Sequence, residues 1–363
     1  MKINTYTIQE WLFSEAAGKF DIDLAESGIQ YHYSHDLNLE KNYDLNYSSD
    51  CGNQDLRNII ANLYGVTNKN IAITHGSQEG LYLFYRSFLQ RNDHVITFSP
   101  GWQQSWEVPK TTGADVSVLK LKAENNYQLD FDNLTDNIRA DTKLIILTNP
   151  GNPTGVTFAD RDIEKLIALC RKNHIFILAD EEYFTDYGNS LVKRYEKSAI
   201  TSSLSKIYGF PGLRIGWFIG PEEMVKEVIN YKRYVTVSNS SLCEYLACEV
   251  LNSYQTHLEH YQTLCQQGLD YFKKWLNSYP ELTLVPTQGT PFAYCKLNMS
   301  LSSFEFCKQL LAKYRVLIMP GEVFEDKQTL RITFGRHHDT LAEGLKAIGS
   351  FISSVREMKQ VAS

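Results

Sequence analysis

The apolar positions of the chain fall into two rhythms. Between about residues 55 and 251, short apolar runs alternate with longer stretches whose apolar residues recur every three or four positions. The runs 70–74, 94–99, 143–148, 175–180 and 213–219 are nearly continuous, as expected for strands buried on both faces, and 115–121 alternates. Stretches 55–64, 77–85, 160–173, 221–234 and 241–251 carry helical spacing, with Leu56, Ile59, Ile60 and Leu63 on one face of the first. Strand–helix alternation of this kind predicts an α/β large domain over residues 40–260. Beyond it the rhythm changes. A long helix over 257–275 precedes apolar runs at 282–285, 292–295, 316–321 and 329–335, with a helix at 303–313. These predict an α+β subdomain, joined by the amphipathic segment 8–13 into a small domain of residues 1–39 plus 261–363.

With 363 residues, 43% hydrophobic and 21% charged, the composition is that of an ordinary globular protein. A net charge of −6 offers no basic field for nucleic acid. No apolar run reaches spanning length and the first twenty residues lack a signal-peptide pattern, so neither membrane nor export is expected. Seven scattered cysteines, never spaced as Cys-x-x-Cys, read as reduced thiols of a cytoplasmic protein, and no metal site is expected.

The chemistry concentrates around Ser202-Ser-Leu-Ser-Lys-Ile-Tyr-Gly-Phe-Pro-Gly-Leu-Arg214. A lysine amine forms a Schiff base with an aldehyde cofactor, usually pyridoxal phosphate, and Lys206 lies among hydroxyls. Ser203 and Arg214 are placed to supply a hydroxyl and a guanidinium to the phosphate. The run ending at Gly76, followed by a helical stretch, makes an anion site from the amides and side chains of Ser77 and Gln78. Trp102, just after 94–99, is the candidate to stack on a flat pyridine, with Trp106 as alternative. Asp180 closes an apolar strand, where α/β proteins place their chemistry, and a carboxylate there would keep a pyridine nitrogen protonated. Glu181 and Glu182 read as orienting or surface residues. Arg331, within Leu330-Arg331-Ile332, needs a carboxylate partner, either a substrate's or that of a structural ion pair.

Together, Asn149-Pro-Gly-Asn-Pro-Thr-Gly155, Asp180-x-x-Tyr183, Ser203-x-x-Lys206 and Leu330-Arg331-Ile332 resemble the class I/II aminotransferases, fold-type-I pyridoxal phosphate enzymes. The resemblance runs from Tyr47 to Arg331. It implies a mixed, mostly parallel seven-stranded sheet in the large domain and transfer of an amino group between an L-amino acid and a 2-oxo acid. It assigns the cofactor's phenolic oxygen to Asn152 and Tyr183, and the substrate carboxylate to Arg331 with help from Asn152. Catalysis falls to Lys206, Asp180 and Tyr183. Tyr47, in a Tyr-x4-Gly-x3-Leu-Arg arrangement, would reach the phosphate of a neighbouring subunit in a homodimer. Gly28 matches a glycine that passes over the substrate, and reads equally as a surface turn. A Ser-Lys-x-Tyr-Gly-x-Pro-Gly-Leu-Arg-x-Gly-Trp wording and an early Glu-Trp-Leu also resemble the capreomycidine-synthase-like group, which performs elimination and cyclisation on a hydroxyarginine-type substrate.

Overall fold

The computed structural model describes residues 2–37, 39 and 42–362, with side chains to 357. Seven strands form the main sheet: β1 Ile71–Thr74, β2 His94–Ser99, β3 Asp115–Lys120, β4 Thr142–Thr148, β5 Phe176–Asp180, β6 Ser198–Ser203 and β7 Gly216–Ile219. Their spatial order is β1-β7-β6-β5-β4-β2-β3. Only β7 runs antiparallel to its neighbours.

Along one strand, neighbouring residues enter different cores. Ile145 and Leu147 pack with Ile96, Ile177, Ile200 and Trp217, while Leu144 and Ile146 pack with Val95, Leu178 and Phe218 on the other face. Both faces are covered, which is why these runs read as continuous apolar stretches. The flanking helices have local stops. Asn53 caps Gln54–Tyr64 by accepting from the Asp55 and Leu56 N–H groups, and Gly65 ends that helix at φ 62°.

A second sheet, β10-β11-β9-β8, is built from β8 Leu282–Leu284, β9 Phe292–Leu297, β10 Met319–Pro320 and β11 Thr329–Thr333. Its core joins Ile8, Trp11 and Leu24 to Phe306, Leu330, Ile332 and Phe351. Helix α2, Tyr254–Leu276, gives Tyr261 to the core of the large sheet and Phe272 to this one.

Four elements depart from the expected pattern. Strand β6 was not anticipated because its residues are Ser-Ala-Ile-Thr-Ser-Ser, yet all six are buried. Its serine hydroxyls find acceptors inside the protein: Ser198 donates to the Tyr195 carbonyl (2.6 Å) and Ser202 to that of Glu181 (3.3 Å). The run 213–219 is a strand only from Gly216, because Pro211–Leu213 forms a 3-10 turn and Arg214 sits at φ 53°. The helices Gln104–Thr111, which contains Pro109, and α3, His338–Ala362, are additional. No helix among the described residues is long and apolar enough to cross a membrane.

Candidate active site

The carboxyl ends of β2, β4, β5 and β6 open onto one cavity of about 430 Å³. Trp102, Thr148, Asp180 and Lys206 follow or end these strands and line it, with Ser77 and Gln78 from the start of helix α1, Gly76–Phe88. Arg214, Asn152, Tyr183 and Arg331 line it too. Of the residues singled out from the sequence, eight thus meet in one chamber besides Trp102. Among them are residues from two chain segments more than a hundred positions apart, Asn152 and Arg331.

The phosphate end of the chamber is built by close backbone approach. A side chain on Gly216 would put its Cβ 2.4 Å from the Gly76 carbonyl carbon, and one on Gly76 (φ 70°) would meet Arg214 Nη2 at 2.6 Å. No side chain caps α1, so its first amides face this end, beside the Arg214 guanidinium. Ser205 lies 3.5 Å from Arg214 Nη1 and lines the cavity. Ser203 sits behind it, donating to Glu182 Oε2 (2.9 Å) and accepting the Ser205 N–H (3.0 Å).

Asp180 is the buried acid of the floor. It accepts the Glu182 N–H at 3.3 Å. Burial, then the neighbouring Glu182 charge, pushes its carboxyl well above the ordinary range, and Lys206 pulls the other way. Such a site favours any cationic group brought to it. Tyr183 is also buried, which keeps its phenol protonated despite the opposing Arg331 charge. Its ring meets Phe292 edge-on at 5.3 Å. Glu181 and Glu182 are 4% and 6% exposed, so neither is a surface residue. Glu181 is tied by the Ser190 hydroxyl (2.8 Å) and the Leu191 N–H (3.0 Å), and Glu182 by Ser203.

Arg331, on β11, donates to Asn152 Oδ1 at 2.6 Å and to the Ala25 carbonyl, while its buried Nε has no partner among the described residues. Its guanidinium lies between the rings of Phe292 and Phe324, 5.2 and 5.1 Å from their centroids. The partner found inside the protein is thus an amide and a carbonyl, leaving donor capacity for a guest carboxylate.

Over the cavity runs a strap, residues 23–28. Glu26 reaches Lys206 Nζ at 2.5 Å, and Gly28 packs on the backbone behind that lysine. A Cβ on Gly28 would meet the Ser205 carbonyl at 3.0 Å. Burial alone would raise the Glu26 carboxyl, but Lys206, Arg331 and Arg336 more than reverse this and bring it to about 2. Arg336 was not singled out from the sequence. It donates to the carbonyls of Asp23 (3.0 Å), Glu26 (2.9 Å) and Gly28 (2.7 Å), partners that no side-chain pattern can reveal.

Trp102 forms a wall, with Tyr6 edge-on at 5.6 Å, whereas Trp106 is buried in the Gln104–Thr111 helix away from this cavity. Tyr47 is 86% exposed and touches no part of this chamber.

These residues suit pyridoxal phosphate: uncapped helix amides with a guanidinium for an anion, a buried acid short of positive charge, and a lysine amine between them. The family model described as "Aminotransferase class I and II" matches residues 20–348. An aspartate aminotransferase of Pyrococcus horikoshii is 27% identical over 320 residues, 83% of this chain and 82% of its own. Capreomycidine synthase of Streptomyces vinaceus is 28% identical over 285 residues, 77% of this chain and 73% of its own. A crystal structure of a PLP-dependent aminotransferase from Streptococcus suis superposes with a TM-score of 0.92 at 27% identity, covering 98% of this chain and 99% of that one.

Proposed function

Because this chain belongs to the class I and II aminotransferase family, whose enzymes depend on pyridoxal phosphate, we propose that it transfers an amino group between an L-amino acid and a 2-oxo acid through Lys206. The observation that carries the reading is the meeting of Lys206, Asp180, Asn152 and Arg331 in one chamber at the strand ends. When bound, the cofactor supplies an aldehyde that takes up amines and a ring that accepts the electron pair left at the substrate Cα. Arg214, Ser205 and the start of α1 with Ser77 and Gln78 would hold its phosphate, and Ser203, expected there from the sequence, instead braces Ser205 from behind. Asp180 would hold a proton at the ring nitrogen, and Trp102 would supply an aromatic face for the ring. Asn152 and Tyr183 donate to the phenolic oxygen, Tyr183 because burial keeps its proton in place. Arg331 fixes the α-carboxylate, assisted by Asn152, and Gly28 lets the strap lie close over the substrate. Lys206 Nζ would take the proton from Cα and deliver it to the carbon that was the cofactor's aldehyde, acting as base and then acid.

The test is to give the purified enzyme an amino donor and no acceptor. The cofactor should be recovered aminated, with one equivalent of 2-oxo acid. Borohydride reduction before substrate should label Lys206 in peptide maps. The similarity to capreomycidine synthase supports a second reading, elimination and cyclisation of a β-hydroxylated arginine. Cyclised product without any aminated cofactor from the donor panel would decide for it.

The unit we propose is a homodimer in the cytoplasm. Tyr47 and Leu45, 86% and 76% exposed, support a contact completed by the partner, and seven free thiols support the compartment. Mixed dimers of Lys206→Ala and Tyr47→Ala chains should regain activity, since one composite site is then whole. Separate cores support a large domain of 40–260 and a small domain of 1–39 plus 261–363.

A further inference from the structure

Given the function proposed above, most charges around the chamber have a task. Arg214 serves the phosphate, Asp180 the ring nitrogen, Arg331 the α-carboxylate and Lys206 the aldehyde. Glu26 has none. Its carboxylate pairs with Lys206 Nζ at 2.5 Å in the structure. Once Lys206 is committed to the cofactor, that ammonium is no longer available to it. The other cations nearby are already engaged. Arg336 spends its donors on the carbonyls of Asp23, Glu26, Gly28 and Gly335, and Arg331 donates to Asn152 and Ala25. The strap itself is fixed in place by those bonds, so Glu26 cannot simply retreat with its backbone. A carboxylate with 38% of its side chain exposed is left facing the substrate space, with Arg331 and Arg336 near it but, among the described residues, no cation hydrogen-bonded to it.

A second acceptor lines the same space. Gln9, on the N-terminal helical turn Thr7–Gln9, has a buried Oε1 with no hydrogen-bond partner among the described residues. An unpaired buried acceptor is costly and marks where a donor is expected. Between and around the two, Ile8, Leu12 and Phe13 give the cavity an apolar wall. The chamber thus offers a guanidinium for one end of a guest, an aliphatic wall for its middle, and acceptors for its far end.

We infer that Glu26 and Gln9 form a side-chain subsite for amino acids with an aliphatic stem ending in a cation, and that Glu26 turns away dicarboxylic substrates. Like charge at short range discriminates strongly in a site shielded from water. This specificity is opposite to that named for the aspartate aminotransferase relatives.

Three acids without an α-amino group, 4-guanidinobutanoate, hexanoate and glutarate, test this by titration calorimetry on the holoenzyme. None of them can be transaminated, so the result is independent of whether the donor reaction above succeeds. The wild type should bind 4-guanidinobutanoate at least about tenfold more tightly than glutarate, with hexanoate between them. In Glu26→Gln that ratio should collapse towards one, and glutarate should gain. In Gln9→Leu, 4-guanidinobutanoate should weaken about threefold relative to hexanoate. Wild-type protein that binds glutarate as well as 4-guanidinobutanoate overturns the inference, even if a variant fails to fold. So does a ratio unchanged in both variants.

Discussion

The floor of the site and the strap above it are held by different chemistry. Floor residues follow parallel strands whose backbones pair with one another, and their positions are inherited from the ladder: Thr148 pairs with Asp180, and Asp180 with Thr201. The strap is held largely by side chains that reach its carbonyls. Arg331 takes Ala25, Thr333 takes Glu26, and Arg336 takes Asp23, Glu26 and Gly28. A ladder distributes its stability over many neutral bonds, whereas the strap concentrates it in two buried cations. The floor should therefore tolerate loss of one polar side chain, and the strap should not tolerate loss of either arginine.

The largest effect is expected from Arg336→Met. The residue is 5% exposed and its removal orphans several carbonyls at once. With charge-assisted bonds lost and acceptors left buried, the cost should be roughly 3–5 kcal/mol in urea unfolding. The ratio kcat/KM should fall as well, because Glu26 and Gly28 lose their anchor. A cost below about 1 kcal/mol would show that the strap is held by packing instead, and the contrast with the floor would break.

A sharper version uses one carboxylate from each region. Glu181, beneath the floor, is raised by burial to about 7 from its ordinary 4.5. Its raised value means stability is fully present below about pH 4.5 and is lost as pH climbs through about 7. Glu26, in the strap, is lowered to about 2, so its contribution is present above about pH 4.5 and is lost as pH falls through about 2. The two regions should loosen at opposite ends of the scale. In Glu181→Gln the loss between pH 4.5 and 7 should shrink, by up to ~3 kcal/mol at the upper end, and chemical unfolding across that window measures it. An unchanged slope would mean that Glu181 stays ionised in the folded protein, its two hydrogen bonds outweighing burial.

The same contrast explains what could be read from the chain. The floor was legible because its strands are local, apolar and continuous, and because Asp180 and Asn152 sit at predictable strand ends. Strand β6 escaped because Ser198, Ser202 and Ser203 satisfy their hydroxyls internally, so burial left no apolar trace. Of the two alternatives for Glu181 and Glu182, the surface one failed for a related reason, since their partners come from elsewhere in the chain: Ser190 and Leu191 for one and Ser203 for the other. The strap was marked only by its glycine. Arg336 binds carbonyls some 310 positions away, and a carbonyl has no residue type.

Thr333→Val probes the least of the strap's fastenings. Thr333 is fully buried, and its hydroxyl donates to the Glu26 carbonyl at 2.7 Å. Valine keeps nearly the same shape on the β-branched position, so packing on β11 should be preserved. The Glu26 carbonyl keeps its bond from Arg336 Nη2 at 2.9 Å, and the Thr333 backbone keeps its bond to Leu24 at 2.8 Å. No acceptor is orphaned, so the cost should be that of one neutral bond, about 0.5–1 kcal/mol, read from the urea midpoint. Loss comparable to that of Arg336→Met would show that the strap detaches as a unit when any fastening fails. A small loss, with 4-guanidinobutanoate affinity kept, would show that the arginine alone positions Glu26.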